Sequence, residues 1–197
     1  MEYVFATGNA HKLEELRRIA AGSGVAFVSM KDAGADLDIA EDGATFAENA
    51  AIKALAAARA TGRYALADDS GLCVDYLGGA PGALSARFMG EDTPYSVKNA
   101  EIIRLLEGTG EEGRGARFVC VIALSAPDGT VITETGEVAG VIAKEPSGGG
   151  GFGYDPIFLI PELGKTAAEL SPAEKDAVSH RGKALRKMLA RIAGGSP

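Results

Sequence analysis

Two neighbouring carboxylates stand inside an apolar stretch of the chain. In the phrase ALADDSGL, residues 65–72, Asp68 and Asp69 follow a short apolar run and precede Ser70 and Gly71. Adjacent acids repel each other and resist burial, so a chain that brings them to one place needs a reason. One interpretation is a turn, because Asp, Ser and Gly favour turns. The other is a site that uses carboxylates for chemistry.

An anion-binding loop is the first feature that could complement such carboxylates. A predicted strand-to-helix turn places backbone N–H groups at the positive end of the helix dipole, where anions bind. Lys12, one turn into the helix, could add a full positive charge. The alternative is that Asn9 only caps the helix and the lysine is solvated. The GxxxxGK[ST] pattern of a Walker A loop is absent. The segment consists of Thr7, Gly8, Asn9, Ala10, His11 and Lys12.

A glycine-rich segment is the second feature. The phrase SGGGGFGYD, residues 147–155, satisfies GxGxxG but precedes a predicted strand, so the dinucleotide-binding fingerprint does not apply. Glycines beside Phe152 and Tyr154 indicate backbone that can approach a flat ligand, with aromatic faces available for stacking. A flexible loop is the alternative.

A polar cluster near the C-terminus is the third feature. Glu174 and Lys175 precede Ser179, His180 and Arg181, which stand at a predicted helix start and suit an anionic or carbonyl-bearing ligand, although they could simply cap the helix.

Taken together, the three features surround carboxylates with cations and donors. Phosphates and Mg²⁺ fit that set, because Mg²⁺ is held by one or two carboxylates plus substrate phosphates. Successive strand residues point to opposite faces, so only one of the paired acids need enter the site.

Composition limits the class of protein. The 197 residues are 46% hydrophobic, which fits one sizeable domain or two joined lobes, and we expect residues 1–197 to form a single domain. A formal net charge of −7 argues against a nucleic-acid partner. No apolar run approaches the ~20 residues of a membrane span, and the N-terminus lacks a signal-peptide pattern. Cys73 and Cys120 lie in apolar runs and are expected to be buried free thiols, so we expect a cytoplasmic protein.

Strands and helices are both predicted along the chain. Thr45 and Glu48 form a capping box before an Ala-rich helix that ends near Gly62, and Thr93–Pro94 is predicted to start a helix that runs to Leu106. The turn 127–129 is predicted to join two antiparallel strands. This mixture predicts an α/β domain with a mixed sheet. Further strands are predicted at 3–6, 25–29, 65–67 and 156–160, and further helices at 11–22, after Ser171 and from His180.

Six motifs make the chain similar to a known family. TGNAHK, EDGATFAENAAIKA, ADDSGL, LGGAPGALSARF, GGGGFGYDPIF and KDAVSHRGKAL occur in the order found in the inosine triphosphate pyrophosphatase family, from Thr7 to Leu185. The resemblance implies a two-lobed α/β fold with a long, mixed, twisted sheet flanked by helices and an active site in the cleft between the lobes. It also implies a homodimer that hydrolyses the purine nucleoside triphosphates ITP, dITP and XTP to the monophosphate and pyrophosphate with Mg²⁺.

The resemblance implies roles for individual residues. Asp69 is expected to be the general base and a metal ligand, and Glu41 the second metal ligand, a task that Asp42 or Glu48 could share. Contacts to the substrate are implied at Thr7, Gly8, Asn9, Ala10, His11, Lys12, Ser70, Phe152, Gly153, Tyr154, Asp155, Lys175, His180 and Arg181.

Two other functions fit the same residues. One is a phosphohydrolase that releases inorganic phosphate from a nucleotide or sugar phosphate. The other is a nucleotide-binding module without catalytic activity. The products formed from ITP (pyrophosphate, inorganic phosphate or none) separate the three functions.

Overall fold

The protein contains both helices and strands, in a computed structural model that describes residues 2–195. None of the helices within this range has the length and apolar character needed to cross a bilayer. The helices are α1 (Ala10–Ile19), α2 (Phe46–Thr61), α3 (Tyr95–Leu105), α4 (Pro172–Val178) and α5 (His180–Ala193). The strands are β1 (Glu2–Phe5), β2 (Ala26–Ser29), β3 (Ala65–Val74), β4 (Gly115–Ser125), β5 (Val131–Ile142), β6 (Phe158–Ile160) and β7 (Lys165–Thr166).

The strands form one seven-stranded mixed sheet in the order β2-β1-β3-β4-β5-β6-β7. β1 runs parallel to β2 and to β3, whereas β6 runs antiparallel to β5 and to β7. Parallel neighbours need helical crossovers, and α1 and α2 supply them between β1, β2 and β3. The prediction of an α/β fold with a mixed sheet is confirmed.

Contacts divide the chain into two compact units. Among the described residues, unit 1 comprises 2–69, 120–136 and 180–195, and unit 2 comprises 70–119 and 137–179. Each unit has an apolar core of its own, and each is described separately below.

Unit 1 carries apolar side chains on both faces of its strands. Because strand residues alternate, Phe5 and Leu66 pack with Leu16 of α1 and Leu185 of α5, whereas their neighbours pack against α2. The residues on that second face are small, and they allow the helix to lie close to the sheet. They are Ala65, Ala67 and Ala123 from the strands, Ala6 directly after β1, and Ala50, Ala54, Ala57 and Ala58 from α2.

Unit 2 is organised around aromatic and branched side chains. Phe118 of β4 and Phe158 of β6 pack with ring centroids 4.3 Å apart. Ile102 and Leu106, at the C-terminal end of α3, complete the same cluster. This packing fixes α3 against the strands, which becomes important for the loop that precedes β6.

Strand β3 differs from its prediction. The expected strand 65–67 is a ten-residue strand, Ala65–Val74, so Asp68 and Asp69 lie in its middle and the turn interpretation is wrong. Gly71 is likewise a strand residue rather than a turn residue, and a Cβ there would lie 2.3 Å from Ser85 Oγ. The sequence did not predict the full length of this strand, because two adjacent charged residues indicate an exposed segment. In the structure both carboxylates have cationic partners and are buried.

Smaller differences occur at element ends. α3 begins at Tyr95 with Pro94 at its cap, and the Thr93 hydroxyl donates to Met89 O instead of capping the helix. β6 begins at Phe158 because residues 155–157 form a short 3₁₀ turn. The capping box of Thr45 and Glu48 is present as predicted. Both cysteines are free and buried, which confirms the expectation for them.

Candidate active site

The two acids of β3 face opposite sides of unit 1. Asp68 follows Leu66 on the face covered by α1 and α5, and Asp69 follows Ala67 on the face covered by α2. Their exposed fractions are 1% and 6%, so both are buried polar groups that require partners. Their partners differ, and this difference gives the two carboxylates different chemistry.

Asp68 is held by cations. Its Oδ2 accepts hydrogen bonds from Arg181 Nη2 at 3.1 Å and lies 3.1 Å from Lys12 Nζ. Burial alone would raise the pKa of Asp68, but attraction to Lys12, Arg181 and Lys53 outweighs it and holds the pKa far below its usual range. Asp68 is therefore a permanent anion that fixes cations. It has no capacity to take up a proton near neutral pH.

Arg181 is the centre of this buried charge cluster. Its side chain is almost fully buried, and its Nη1 donates to Glu15, which lies one turn beyond Lys12 on α1. Burial disfavours its charged form, but the nearby carboxylates raise the pKa of Arg181 above its already high value. The sequence predicted a contact with substrate for Arg181, and the structure gives it two carboxylate partners within unit 1.

Asp69 has weaker compensation. Its Oδ2 accepts a hydrogen bond from Asn49 Nδ2 at 3.1 Å, and its Oδ1 lies 3.9 Å from Lys53 Nζ. Burial raises the pKa of Asp69, and the opposing effects of Lys53 and Asn49 do not cancel that rise. A carboxylate whose pKa is shifted toward neutrality is a better general base than an ordinary one.

Lys53 links Asp69 to the predicted metal ligand. Its Nζ donates to Glu41 Oε1 at 2.7 Å, so one ammonium lies between two carboxylates. Of the alternatives to Glu41, Glu48 uses its Oε2 to accept from the backbone N–H groups of Ala44 and Thr45. Glu48 is thus occupied as a capping residue, and Asp42 is exposed.

A Mg²⁺ ion fits the donor types at this position. Within residues 2–195, no group of three or more His, Cys, Asp or Glu side chains could enclose a metal ion. Mg²⁺ does not require such a cage, since it is commonly held by one or two carboxylates, several waters and phosphate oxygens. Glu41 and Asp69, which share one cation, supply a carboxylate pair of this kind.

The loop before α1 caps its own helix. Asn9 Oδ1 accepts from the backbone N–H groups of His11 at 3.0 Å and Lys12 at 3.4 Å. Thr7 Oγ1 in turn accepts from Asn9 N. A Cβ at Gly8 would meet nothing within 4 Å, so space is open beside the backbone there. Ala10 and His11 are exposed. The capping interpretation of Asn9 is confirmed, and Lys12 is paired with Asp68 rather than simply solvated.

A second group of predicted residues lies in unit 2, in the loop 152–155. Asp155 Oδ2 accepts from Phe152 N and from Lys175 Nζ, both at 2.7 Å. Lys175 Nζ also lies 4.6 Å from the centroid of the Phe152 ring. One carboxylate therefore ties the loop to α4, and the lysine lies against the aromatic side chain.

The two aromatic residues of this loop differ in exposure. Phe152 is half-buried, whereas Tyr154 is only 4% exposed and donates through its hydroxyl to Ser85 O at 2.8 Å. Burial and the nearby Tyr95 raise the pKa of Tyr154. Tyr154 therefore belongs to the core of unit 2, and stacking of a ligand on Phe152 stays a prediction.

Contacts within the chain explain the glycine run. Cβ atoms at Gly148 and Gly150 would lie 2.5 Å and 2.9 Å from the backbone of Ala168, and a Cβ at Gly151 would lie 2.1 Å from Asp155 Oδ2. Close packing of the backbone therefore requires these glycines, whatever binds nearby. A Cβ at Gly149 would meet nothing.

Ser70 and His180 complete the set of predicted residues. Ser70 follows Asp69 on β3 and is half-buried, and His180 begins α5 and is 7% exposed. The sequence patterns did not predict three charged or polar residues of the site: Glu15, Asn49 and Lys53. Asn49 and Lys53 stand four residues apart on α2, among alanines that face the sheet. Polar side chains at helical spacing inside an alanine stripe were the signal that could have revealed them.

Comparison with known proteins agrees with this architecture. The model of the Ham1 family matches residues 3–191. A protein of Desulforamulus reducens named dITP/XTP pyrophosphatase is 50% identical over 96% of this chain and 94% of its own length. One of the same name from Gloeobacter violaceus is 51% identical over 98% of this chain and 95% of its own. The structure of a HAM1 protein from Coxiella burnetii superimposes with a TM-score of 0.90 at 41% identity, covering 98% of this chain and 99% of that one. The chain belongs to the Ham1 family.

Proposed function

We propose that this protein hydrolyses non-canonical purine nucleoside triphosphates, namely ITP, dITP and XTP, to the monophosphate and pyrophosphate. The similar proteins named dITP/XTP pyrophosphatase, about half identical over nearly the whole chain, support the substrate class. The observation that carries the mechanism is Asp69, a buried carboxylate of raised pKa beside Lys53 and Glu41.

Asp69 acts as the general base in the proposed reaction. Ionised Asp69 accepts a proton from a water whose oxygen attacks the α-phosphorus. The bond between the α-phosphorus and the oxygen that bridges to the β-phosphorus breaks, and pyrophosphate leaves with that oxygen. Asn49 fixes the orientation of the Asp69 carboxylate by donating a hydrogen bond to its Oδ2. A positioned general base typically contributes ~10²–10⁴ in rate.

Cationic side chains stabilise the charge of the reacting phosphates. Lys12, held against Asp68, and Lys53, held against Glu41, present ammonium groups in unit 1. Preorganised charges of this kind need no rearrangement when charge develops in the transition state. Glu41 and Asp69 would hold Mg²⁺, which when bound neutralises charge on the phosphate oxygens.

The base preference follows from hydrogen-bond chemistry. Hypoxanthine and xanthine carry an acceptor oxygen at C6, where adenine carries an amino donor. The N–H groups of Phe152 and Asp155 are paired within the loop, so the donors available to a base are those of Gly153 and Tyr154. These donors would remain unpaired with adenine, at a cost of ~1–3 kcal/mol for each buried donor. Guanine shares the C6 oxygen, so its rejection depends on the amino group at C2. The expected order of kcat/KM is ITP and XTP first, then GTP, then ATP, with little effect of the sugar.

Further properties belong to the same proposal. The free buried thiols of Cys73 and Cys120 suit a reducing cytoplasm. A homodimer is supported by exposed apolar side chains of unit 2, including Tyr76, Leu84 and Met89. We propose neither a nucleic acid nor a membrane as partner, because the chain is acidic overall.

Product analysis tests the proposed function. Purified protein is incubated with ITP, XTP, GTP or ATP, with and without Mg²⁺, and pyrophosphate and inorganic phosphate are measured separately. Pyrophosphate and IMP in equal amounts from ITP, only with Mg²⁺, are expected. Inorganic phosphate would indicate another phosphohydrolase, and binding without products would indicate a nucleotide-binding module; either result would overturn the proposal. The Asp38→Asn variant, altered at an exposed acid before α2, serves as the control and should match the wild type.

A further inference from the structure

One face of helix α3 contacts the loop 152–155 within unit 2. Tyr95, Lys98 and Asn99 stand at positions i, i+3 and i+4 and therefore share a face of the helix. Lys98, only 1% exposed, donates to Ala86 O at 2.6 Å and lies 5.0 Å from the centroid of the Tyr95 ring. The other two side chains of this face reach the loop directly.

Asn99 makes the polar contact. Its Nδ2 donates to Gly153 O at 3.1 Å, across 54 positions of sequence, and the side chain is 4% exposed. Its Oδ1 is buried and has no donor among residues 2–195. Exchanging the two ends of the amide would bring Oδ1 against the Gly153 carbonyl oxygen, so the hydrogen bond determines the orientation of the amide.

The unpaired Oδ1 of Asn99 lowers the stability of the fold, so stability does not explain why asparagine stands at this position. A buried acceptor without a donor costs free energy, and leucine would fill a similar volume without that cost. A residue that lowers stability in this way is commonly retained for what it positions. Here the side chain makes one hydrogen bond to the described part of the chain, and that bond holds the carbonyl group of Gly153.

Tyr95, on the same face of α3, also contacts this part of the loop. Its ring meets the Tyr154 ring edge-on, with centroids 5.2 Å apart. A Cβ at Gly153 would lie 3.6 Å from Tyr95 Cε1, and Gly153 has a φ of +68°, a conformation that favours glycine. The Tyr154 hydroxyl is anchored on Ser85 O. The Gly153–Tyr154 peptide is thus held between α3 and Ser85.

We propose that Asn99, assisted by Tyr95, is a positioning residue that fixes the 152–155 loop for reading the purine base and so determines base discrimination. This inference rests on the proposed function, since it assigns the reading of the base to that loop. Asn99 touches the backbone of Gly153 and acts through the loop. The reacting phosphates depend on Lys12, Lys53 and Asp69, which belong to unit 1 and which a substitution at position 99 leaves in place.

The Asn99→Leu variant tests this role. Loss of one positioning hydrogen bond should raise KM for dITP about threefold to tenfold and lower the dITP:dGTP ratio of kcat/KM by a similar factor. At saturating dITP, kcat should stay within about twofold of the wild type, since the phosphate-binding residues are unchanged. The melting temperature should change little, because removal of the unpaired Oδ1 offsets loss of the hydrogen bond to Gly153 O. Amide hydrogens of residues 152–155 should exchange faster with solvent, while those of β4 remain protected.

Two further variants complete the experiment. Ile102→Val shortens a buried core side chain on the same helix, so it should lower the melting temperature and leave the dITP:dGTP ratio unchanged. Tyr95→Leu alters a side chain that is 38% exposed, and it should lower the ratio in the same direction as Asn99→Leu. If Asn99→Leu does not fold, Tyr95→Leu decides the matter. A wild-type ratio in either folded variant overturns the proposal.

Failure of this inference is distinguishable from failure of the proposed function. Wild-type protein that releases no pyrophosphate from dITP refutes the function. The hydrogen-exchange comparison needs no substrate, and a uniform change in exchange across unit 2 of Asn99→Leu would refute the positioning role by itself.

Discussion

Replacing Asp69 with asparagine should separate catalysis from stability. Asn keeps the size and shape of the side chain, so β3 and its neighbours are expected to keep their geometry. The variant cannot accept the proton of the attacking water. It also lacks the carboxylate charge that, with Glu41, would hold Mg²⁺. Loss of a positioned general base lowers kcat by ~10²–10⁴, which corresponds to about 2.7–5.4 kcal/mol of activation free energy.

Asp69→Asn should lower kcat but should not lower the stability of the fold. Burial raises the pKa of Asp69 above that of an ordinary carboxyl group, and Lys53 and Asn49 only partly oppose the rise. A group whose pKa is raised on folding contributes stability at low pH, and that contribution is lost as the pH rises through and above the usual value near 4. At pH 7.5 the ionised carboxylate therefore destabilises the fold. The variant should melt at the same temperature as the wild type or higher.

Asp68→Asn provides a matched comparison on the same strand. The pKa of Asp68 is strongly lowered, so its ionised form stabilises the fold above about pH 4 and that stability is lost as the pH falls. Substitution leaves Arg181 and Lys12 without their shared partner. Breaking a buried ion pair from one side costs about 3–5 kcal/mol. This variant should unfold at lower temperature and lower urea concentration than the wild type.

Steady-state release of pyrophosphate from ITP and urea unfolding at pH 7.5 measure the two effects. The expected pattern is a large loss of kcat without loss of stability in Asp69→Asn, and a clear loss of stability in Asp68→Asn. A folded Asp69→Asn variant that retains near-normal turnover would refute the role of Asp69 as the general base. Equal destabilisation by both substitutions would refute the electrostatic distinction between the two faces of β3.

Three further predictions concern the cations and the metal. Lys12→Ala should raise KM for ITP and lower kcat together, by about tenfold or more, because an ammonium group that binds phosphate is lost; unchanged constants would leave Lys12 with a structural role alone. Arg181→Met should lower the melting temperature and reduce activity on ITP, XTP and GTP by one common factor, since it removes the partner of Asp68 and Glu15; a flattened base preference would instead show that Arg181 reads the base. Chelation with EDTA should abolish release of pyrophosphate, and added Mg²⁺ should restore it without changing the melting temperature of the substrate-free protein; activity that survives chelation would contradict the metal site.

Local interactions made parts of this protein readable from sequence. The capping boxes of Thr45 with Glu48 and of Ser171 with Glu174 join residues three positions apart, and both are present. Asn9 caps α1 for the same reason. The mixed α/β class followed from alternating helical and strand patterns, whose periods of 3.6 and 2.0 are properties of short segments. The order of six motifs, rather than any one of them, indicated the family.

The tertiary structure decided what depends on distant residues. Asp68 meets Arg181 across 113 positions of sequence, and Arg181 meets Glu15 across 166. Arg181 and Lys12 lie beside Asp68, and Lys53 lies beside Asp69. Because of these cations, both acids can lie in the middle of a buried strand, at a position where the sequence predicted a strand end. Tyr154 and Asn99 were assigned by the fold in the same way, since only packing decides which aromatic ring is buried and which amide reaches a carbonyl. Burial and charge pairing act through space, so the identity of a residue and its neighbours in sequence do not reveal them.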